Sequence, residues 1–239
     1  MILKVSKVTK SFGDIKAVVE VSFNIEVGEF VFVTGPSGAG KTTLIRMILR
    51  ELLPDSGEIE FQGVDVTKAP DKEIPLIRQK MGVVFQDFKV IPERTVRENI
   101  EVALAVTKVP ESEWGARVGH VLKLVGIEKK GDLFSSQLSG GELQRAALAR
   151  ALVVNPEIII ADEPTGNLDW DTAEGIVDLF EEINKEGKTI IMATHHQGII
   201  EKHKKRVIEM KEGKVVKDTG AKKSSKPQAK EGSQAKDKS

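Results

Sequence analysis

Residues 29–43 read Glu-Phe-Val-Phe-Val-Thr-Gly-Pro-Ser-Gly-Ala-Gly-Lys-Thr-Thr. The first six are apolar nearly throughout, as a strand covered on both faces of a sheet would be. The next nine, Gly35 to Thr43, satisfy the pattern G-x-x-x-x-G-K-[ST] through Gly35, Gly40, Lys41 and Thr42. From Lys41 to Glu51 the pattern predicts a helix, stopped before Pro54. A strand, a glycine loop and a helix in that order make a phosphate cradle. Gly35, Gly38 and Gly40 free the backbone to turn its N–H groups onto phosphate oxygens, and the helix N-terminus adds partial positive charge. Lys41 brings a point charge to the β- and γ-phosphates, and Thr42 offers a hydroxyl to Mg²⁺. Pro36, Ser37, Ala39 and Thr43 complete the expected ATP-contacting loop.

Working outward, Ile2 to Val8 and Val21 to Ile25 alternate apolar and polar residues and read as strands. Gly57 to Gly63 reads as another strand, and Gly82 to Phe85 as a short buried one. Roughly Val96 to Val154 is mostly helical by pattern, most clearly from Glu142, with Leu143, Ala146, Ala147, Arg150 and Ala151 at helical spacing. Ile158 to Asp162 and Thr189 to Ala193 return to buried strand. Between them Thr172 to Glu186 is an amphipathic helix with Ile176, Leu179, Phe180 and Ile183 on one stripe and Gly187 as its C-cap. Val207 to Met210 and Lys214 to Val216, split by Glu212-Gly213, predict a hairpin. Buried strands alternating with helices imply an α/β fold with a mainly parallel sheet, interrupted by a helical insertion at about 88–155.

Two further segments carry chemistry. Asp162 ends a buried strand, where Mg²⁺ would be held, and Glu163 beside it can polarise a water. His195 follows the strand 189–193, at the carboxyl end where α/β sheets bind ligands; by its position alone it is either a structural histidine or one that orients that water at the γ-phosphate. Leu138-Ser139-Gly140-Gly141-Glu142 is a Ser/Gly turn before a helix. His196 and His203 suggest a metal only superficially, since no carboxylate or Cys completes a ligand set at suitable spacing.

Composition narrows the classes. The 239 residues carry no formal net charge, so no global basic field points to nucleic acid. Cys is absent, which excludes disulfides, thiolate metal sites and a Cys nucleophile. The N-terminus lacks an apolar signal core, and no stretch approaches the ~20 apolar residues of a membrane span. The final segment, 220–239, has six Lys against Glu231 and Asp237, a net charge of +4 that leaves −4 for the rest. It holds no large apolar residue and is expected to be disordered.

The phosphate loop, the Ser-Gly-Gly turn and the Asp162-Glu163 pair, in that order, resemble one family, the ATP-binding-cassette (ABC) ATPases. The resemblance covers about residues 1–217 and implies a single nucleotide-binding domain over 1–219. Its fold would be a P-loop NTPase (RecA-like) core with an antiparallel β subdomain and an inserted helical one. It implies that Phe12 stacks on adenine and that Gln86 senses Mg²⁺, with Thr42 and Asp162 as the other metal-side residues. Glu163, His195 and Lys41 are implied as catalytic, and Gly166-Asn167-Leu168-Asp169 as a loop between subunits. Ser139, Gly140, Gly141 and Glu142 would complete the site of a second copy, so the resemblance implies a homodimer closing on ATP.

Phe85 to Asn99, reading FQDFKVIPERTVREN, is similar to the FtsE-type, cell-division branch of the family. That implies an integral-membrane partner resembling FtsX, control of cell-wall hydrolases, and a place on the cytoplasmic face of the membrane at the division site, with other division proteins as further partners. ADEPTGNLD at 161–169 is shared with lipoprotein-release and efflux ATPases, so an ATPase subunit of such a transporter stays open. An ATP-dependent clamp on DNA or ribosomes fits less well, given the balanced charge and single cassette. The chain departs from the branch at Trp170, where Pro is usual, and at His196, where Asp or Asn commonly follows the histidine.

Overall fold

The computed structural model describes residues 1–220, so the expected Lys- and Ser-rich tail lies outside the described residues apart from Gly220. In chain order the elements begin with β1 (Leu3–Phe12), β2 (Ile15–Ile25), β3 (Phe30–Thr34), α1 (Lys41–Ile48), β4 (Ser56–Phe61), β5 (Val64–Asp65), α2 (Ile74–Arg78) and β6 (Met81–Phe85). Helices α3 (Val96–Val106), α4 (Glu111–Leu124) and α5 (Gly140–Leu152) follow without an intervening strand. The chain then runs through β7 (Ile158–Asp162), α6 (Trp170–Lys185), β8 (Thr189–Ala193), α7 (Gln197–His203), β9 (Arg206–Lys211) and β10 (Lys214–Asp218).

Two sheets result. One is antiparallel, in the order β2-β1-β4-β5; the other runs β10-β9-β3-β8-β7-β6, parallel except for the edge strand β10. The parallel sheet is the middle layer of three. Every residue of β3, β7 and β8 is buried, and alternate side chains serve opposite cores. Phe30, Phe32, Ile159, Ala161, Ile190 and Met192 pack with the helices α3 to α6. Val31, Val33, Ile158, Ile160, Ile191 and Ala193 pack with α1 and the antiparallel sheet. Two apolar faces explain the unbroken apolar runs in the sequence.

Register positions the chemistry. Val33 pairs with Ala193, Ala193 with Asp162, and Asp162 with Phe85. These four form one row across the carboxyl end of the sheet. The residues just beyond that row begin the glycine loop, Thr194-His195, Glu163 and Gln86 at a common level.

Several elements escape the sequence pattern. The antiparallel hairpin β1–β2 is longer than the two short runs suggested and turns at Gly13-Asp14, with Gly13 at φ 58°. Helices α2 and α7 are too short to show a period, and β5 has two residues. Helix α6 starts two residues earlier than the expected Thr172, because the Asp169 carboxylate accepts the Thr172 N–H at 3.0 Å and caps it.

Candidate functional site

The glycine loop closes over the end of β3 in a shape only glycine tolerates at two points. Gly35 has φ 147°, and a Cβ there would lie 2.2 Å from the Met210 carbonyl oxygen. Gly40 has φ 101°, and a Cβ there would meet the Ala17 carbonyl oxygen at 2.3 Å. Both neighbours are backbone and cannot step aside. The Lys41 ammonium, 7% exposed, donates to the Gly35 carbonyl at 2.7 Å and the Pro36 carbonyl at 3.3 Å.

Glu163 emerges from the next strand but one with φ 51°, a left-handed conformation that costs a non-glycine residue about 1 kcal/mol or more. Its N–H donates to the Ala193 carbonyl at 2.9 Å, which holds the turn. The strain aims the carboxylate between two partners: Oε1 lies 3.4 Å from Lys41 Nζ, and Oε2 lies 2.9 Å from His195 Nδ1. Asp162 is buried behind Thr42, whose hydroxyl donates to its Oδ1 at 3.3 Å. Burial pushes the Asp162 carboxyl up from the ordinary Asp range, and the Glu163 charge adds to this, while Thr42 and Lys41 oppose it. A desolvated carboxylate beside a hydroxyl is a hard-oxygen donor pair that a divalent cation such as Mg²⁺ suits.

A cavity of about 1050 Å³ gathers the glycine loop, Thr42, Glu163 and His195, while Asp162 lies behind its wall. Its lining includes Phe12, all of Gly35 to Thr43, Gln86, Glu163 and His195. Phe12 sits at the tip of the β1–β2 hairpin, 47% exposed, beside Ile15 and Lys16. Gln86 exchanges hydrogen bonds with Asn167: its Nε2 donates to Asn167 Oδ1, and Asn167 Nδ2 donates to the Gln86 carbonyl, both at 3.1 Å. Asn167 was visible in the sequence only as part of a loop; its pairing across 81 residues had no local signal.

Ser139 to Glu142 and Asp169 do not line that cavity. Ser139 is the exposed N-cap of α5 in a capping box with Glu142: Ser139 Oγ accepts the Glu142 N–H at 3.4 Å, and Glu142 Oε2 accepts the Ser139 N–H at 2.8 Å. The Ser139 N–H and, next, its hydroxyl, which donates to Glu142 Oε2 at 3.0 Å, hold the Glu142 carboxyl below its usual range, with Lys130 assisting. A Cβ on Gly140 would come 3.2 Å from Leu168 Cδ2, and one on Gly141 would come 2.5 Å from Thr172 Cγ2. The two glycines therefore let the turn pack on the start of α6, so the turn and the loop 166–169 form one continuous outer surface.

The segment 85–99 is tied down by its own side chains. Thr95 and Glu98 form a second capping box at α3. Asn99, 2% exposed, accepts the Ile91 N–H at 2.7 Å and donates to the carbonyls of Ile91, Arg94 and Thr95. Arg150 of α5 donates to the carbonyls of Phe88 and Lys89, two consecutive residues with positive φ. Beside this segment an apolar groove of about 490 Å³ runs along the sheet-edge strand β6, lined by Met81, Val83, Ala103 and Val106 among others.

Sequence spacing misjudged the surroundings of one histidine. Asp178 and Glu181 of α6 do lie beside His203. Glu181 Oε1 is shared by Lys205 Nζ at 2.8 Å and His203 Nδ1 at 3.2 Å, so an ammonium already competes for one carboxylate of the cluster. Trp170, expected beside the intersubunit loop, packs on its own chain: its ring lies 4.9 Å from that of His196.

The family described as "ABC transporter" matches residues 18–166. The chain is 48% identical over 217 residues to the cell division ATP-binding protein FtsE of Bacillus subtilis (strain 168), covering 90% of this chain and 95% of that one. It is 48% identical over 198 residues to the protein of the same name from Streptococcus pneumoniae serotype 2, covering 83% and 86%. Its fold is similar to a dimeric post-hydrolysis structure of the ATP-binding cassette MJ0796 bound to ADP and Pi, with a TM-score of 0.81, 37% identity, and coverage of 90% and 97%.

Proposed function

This chain belongs to the ABC transporter family and is an ATP-binding ATPase of that family; on that premise we propose that it is the ATP-hydrolysing subunit of a cell-division complex of the FtsE type, working as a homodimer beneath an integral-membrane partner resembling FtsX. The observation that carries the reading is the division of the motif residues. The phosphate loop, Gln86, Glu163 and His195 share one cavity, while the Ser139–Glu142 turn faces outward from another part of the surface. A site whose last donors lie outside it is completed by a second copy.

In this reading Phe12 stacks on the adenine, and the N–H groups of Gly35 to Thr43 with Lys41 grip the phosphates. Thr42 and Asp162, with Gln86, would hold Mg²⁺, which would supply positive charge at the phosphate oxygens. Glu163 accepts a proton from the attacking water. His195, its Nδ1 bonded to Glu163 Oε2, orients that water beside the γ-phosphate. Ser139 Oγ and the N–H groups of Gly140 and Gly141 meet the γ-phosphate held by the other copy. Only ATP presents that group, so ATP closes the pair and ADP does not.

The relatives' names and the segment 85–99 support the division role over lipoprotein release or efflux. Among the described residues no helix is long and apolar enough to cross a membrane. Attachment to the cytoplasmic face at the division site would thus come through the partner, and the apolar groove beside β6 is a surface suited to its cytoplasmic segment.

Glu163→Gln tests the mechanism: it should keep ATP binding, lose hydrolysis by about 10²–10⁴-fold, and elute as a dimer with ATP and Mg²⁺. A monomer with occupied nucleotide would count against the shared site. Pull-down of the chain from solubilised membranes tests the role; recovery of a transporter permease and no FtsX-like protein would overturn it.

A further inference from the structure

The loops after β7 and β8 are joined twice. Inside the cavity, Glu163 Oε2 meets His195 Nδ1 at 2.9 Å. On the outer side, the Trp170 ring lies 4.9 Å from the His196 ring, tilted by 48°. His195 and His196 are consecutive, so one short extended stretch sends one ring to the carboxylate and the next to the indole. His196 is also the N-cap residue of α7, and its N–H donates to Thr194 Oγ1 at 3.1 Å.

The indole has little freedom on its α7 side. A Cβ on Gly198 would sit 2.7 Å from Trp170 Cη2 and 3.0 Å from Cζ3. Trp170 itself is fixed at the start of α6, directly after the capping Asp169. The rigid ring therefore bridges the first turns of α6 and α7. It spans the two loops that carry the carboxylate and the imidazole of the hydrolytic pair.

We propose that Trp170 and His196 form a positioning pair that holds His195 in register with Glu163. Neither touches the nucleotide cavity; they act through the backbone of 194–196. This rests on the reading of Glu163 and His195 as the groups that handle the water. Without the ring contact, the stretch 194–196 keeps its backbone bonds, from the Thr194 N–H to the Val33 carbonyl at 3.1 Å and from the Ile200 N–H to the His196 carbonyl at 3.3 Å, but loses the side-chain brace beside His195, whose ring then samples orientations that miss the carboxylate. Small displacements of a positioned group lower the chemical step while leaving phosphate binding untouched.

The full-length chain is assayed for ATPase kinetics, ATP affinity and melting temperature as wild type, Trp170→Ala, His196→Ala, the double variant, Trp170→Phe, Gly198→Ala and Glu163→Gln. Trp170→Ala and His196→Ala each lower kcat about tenfold with KM unchanged, and the double variant is no slower than either single, since residues in contact do not act additively. Trp170→Phe recovers most of the rate. Gly198→Ala, which displaces the ring, lowers kcat in the same way and decides the matter if Trp170→Ala does not fold. In chain labelled with fluorotryptophan, His196→Ala shifts the ¹⁹F resonance of Trp170 and not that of Trp114.

Unchanged kcat, additive losses, or a raised KM at constant kcat would overturn the pair. If Glu163→Gln still hydrolyses ATP at the wild-type rate, the assignment of the hydrolytic pair fails instead. If Glu163→Gln is inactive and the Trp170 and His196 variants are not impaired, only the positioning role fails.

Discussion

The phosphate-binding edge of the parallel sheet and the Ser139–Glu142 turn are both glycine-rich helix starts, yet they are built in opposite ways. The first is concave, its glycines strained and its lysine buried. Its charged groups pair across strands far apart in sequence. The second is convex: its serine is exposed and its bonds are local, within one capping box. Its glycines are needed for close packing on α6 rather than for positive φ. The difference teaches that similar sequence signatures can serve two parts of one reaction, one holding the phosphates and the other presenting donors outward.

The sharpest way to break this comparison is to disable each side separately. Lys41→Ala should abolish hydrolysis and weaken ATP binding, with an activity loss of about 10²-fold or more, since an electrostatic group at the transferred phosphate is removed; equilibrium binding and phosphate release check it. Gly141→Ala should leave ATP binding to the single chain intact. A methyl group 2.5 Å from Thr172 Cγ2 forces the turn off α6, at about 1–3 kcal/mol, so hydrolysis should fall by a smaller factor, of about 10-fold. Mixing those two variants then tests the division directly. A head-to-tail pair of one Lys41→Ala and one Gly141→Ala chain contains one site with both halves intact, so activity should rise to about a quarter of wild type in an equal mixture. No recovery would mean that both segments serve the same chain's site.

Stability sharpens the contrast further. Asp162 has its folded-state pKa raised by burial, so the ionised carboxylate costs stability above that pKa. Asp162→Asn should therefore raise the melting temperature of the nucleotide-free chain at neutral pH while removing Mg²⁺-dependent hydrolysis. Glu142 behaves oppositely. Its folded pKa is lowered, so its stabilising contribution is present above the unfolded-state pKa and is lost as pH falls through the folded value. Glu142→Gln keeps a capping box but lacks the carboxylate's contribution, so it should lower the melting temperature slightly at neutral pH and flatten the loss of stability on the acid side. Thermal melts across the acid range would detect that smallest effect.

Much of the site was legible because its geometry is local. The sequence Gly-Pro-Ser-Gly-Ala-Gly-Lys-Thr bends in a single way, and the apolar runs of β3, β7 and β8 announce strands covered on both faces. Asp162, Glu163 and His195 could be placed at strand ends by the same patterns. The segment 85–99 was readable as a family mark, but the task of Asn99, which ties the carbonyls of Ile91, Arg94 and Thr95, was not. Nor was the bridge between Gln86 and Asn167. The short helices α2 and α7 carry too few residues to display a period.

By itself, then, the sequence determined the phosphate loop, the buried strands and long helices, and which residue types stand at strand ends. Each of these depends on neighbours within a turn or on a repeating burial pattern. Tertiary structure alone decided that Val33, Ala193, Asp162 and Phe85 align in one row. It also decided that Gly141 meets Thr172, that Lys205 pairs with Glu181 beside His203, and that the Trp170 ring packs against that of His196. These contacts join segments whose separation along the chain leaves no periodic trace; they arise only when strand register and core packing bring the segments together.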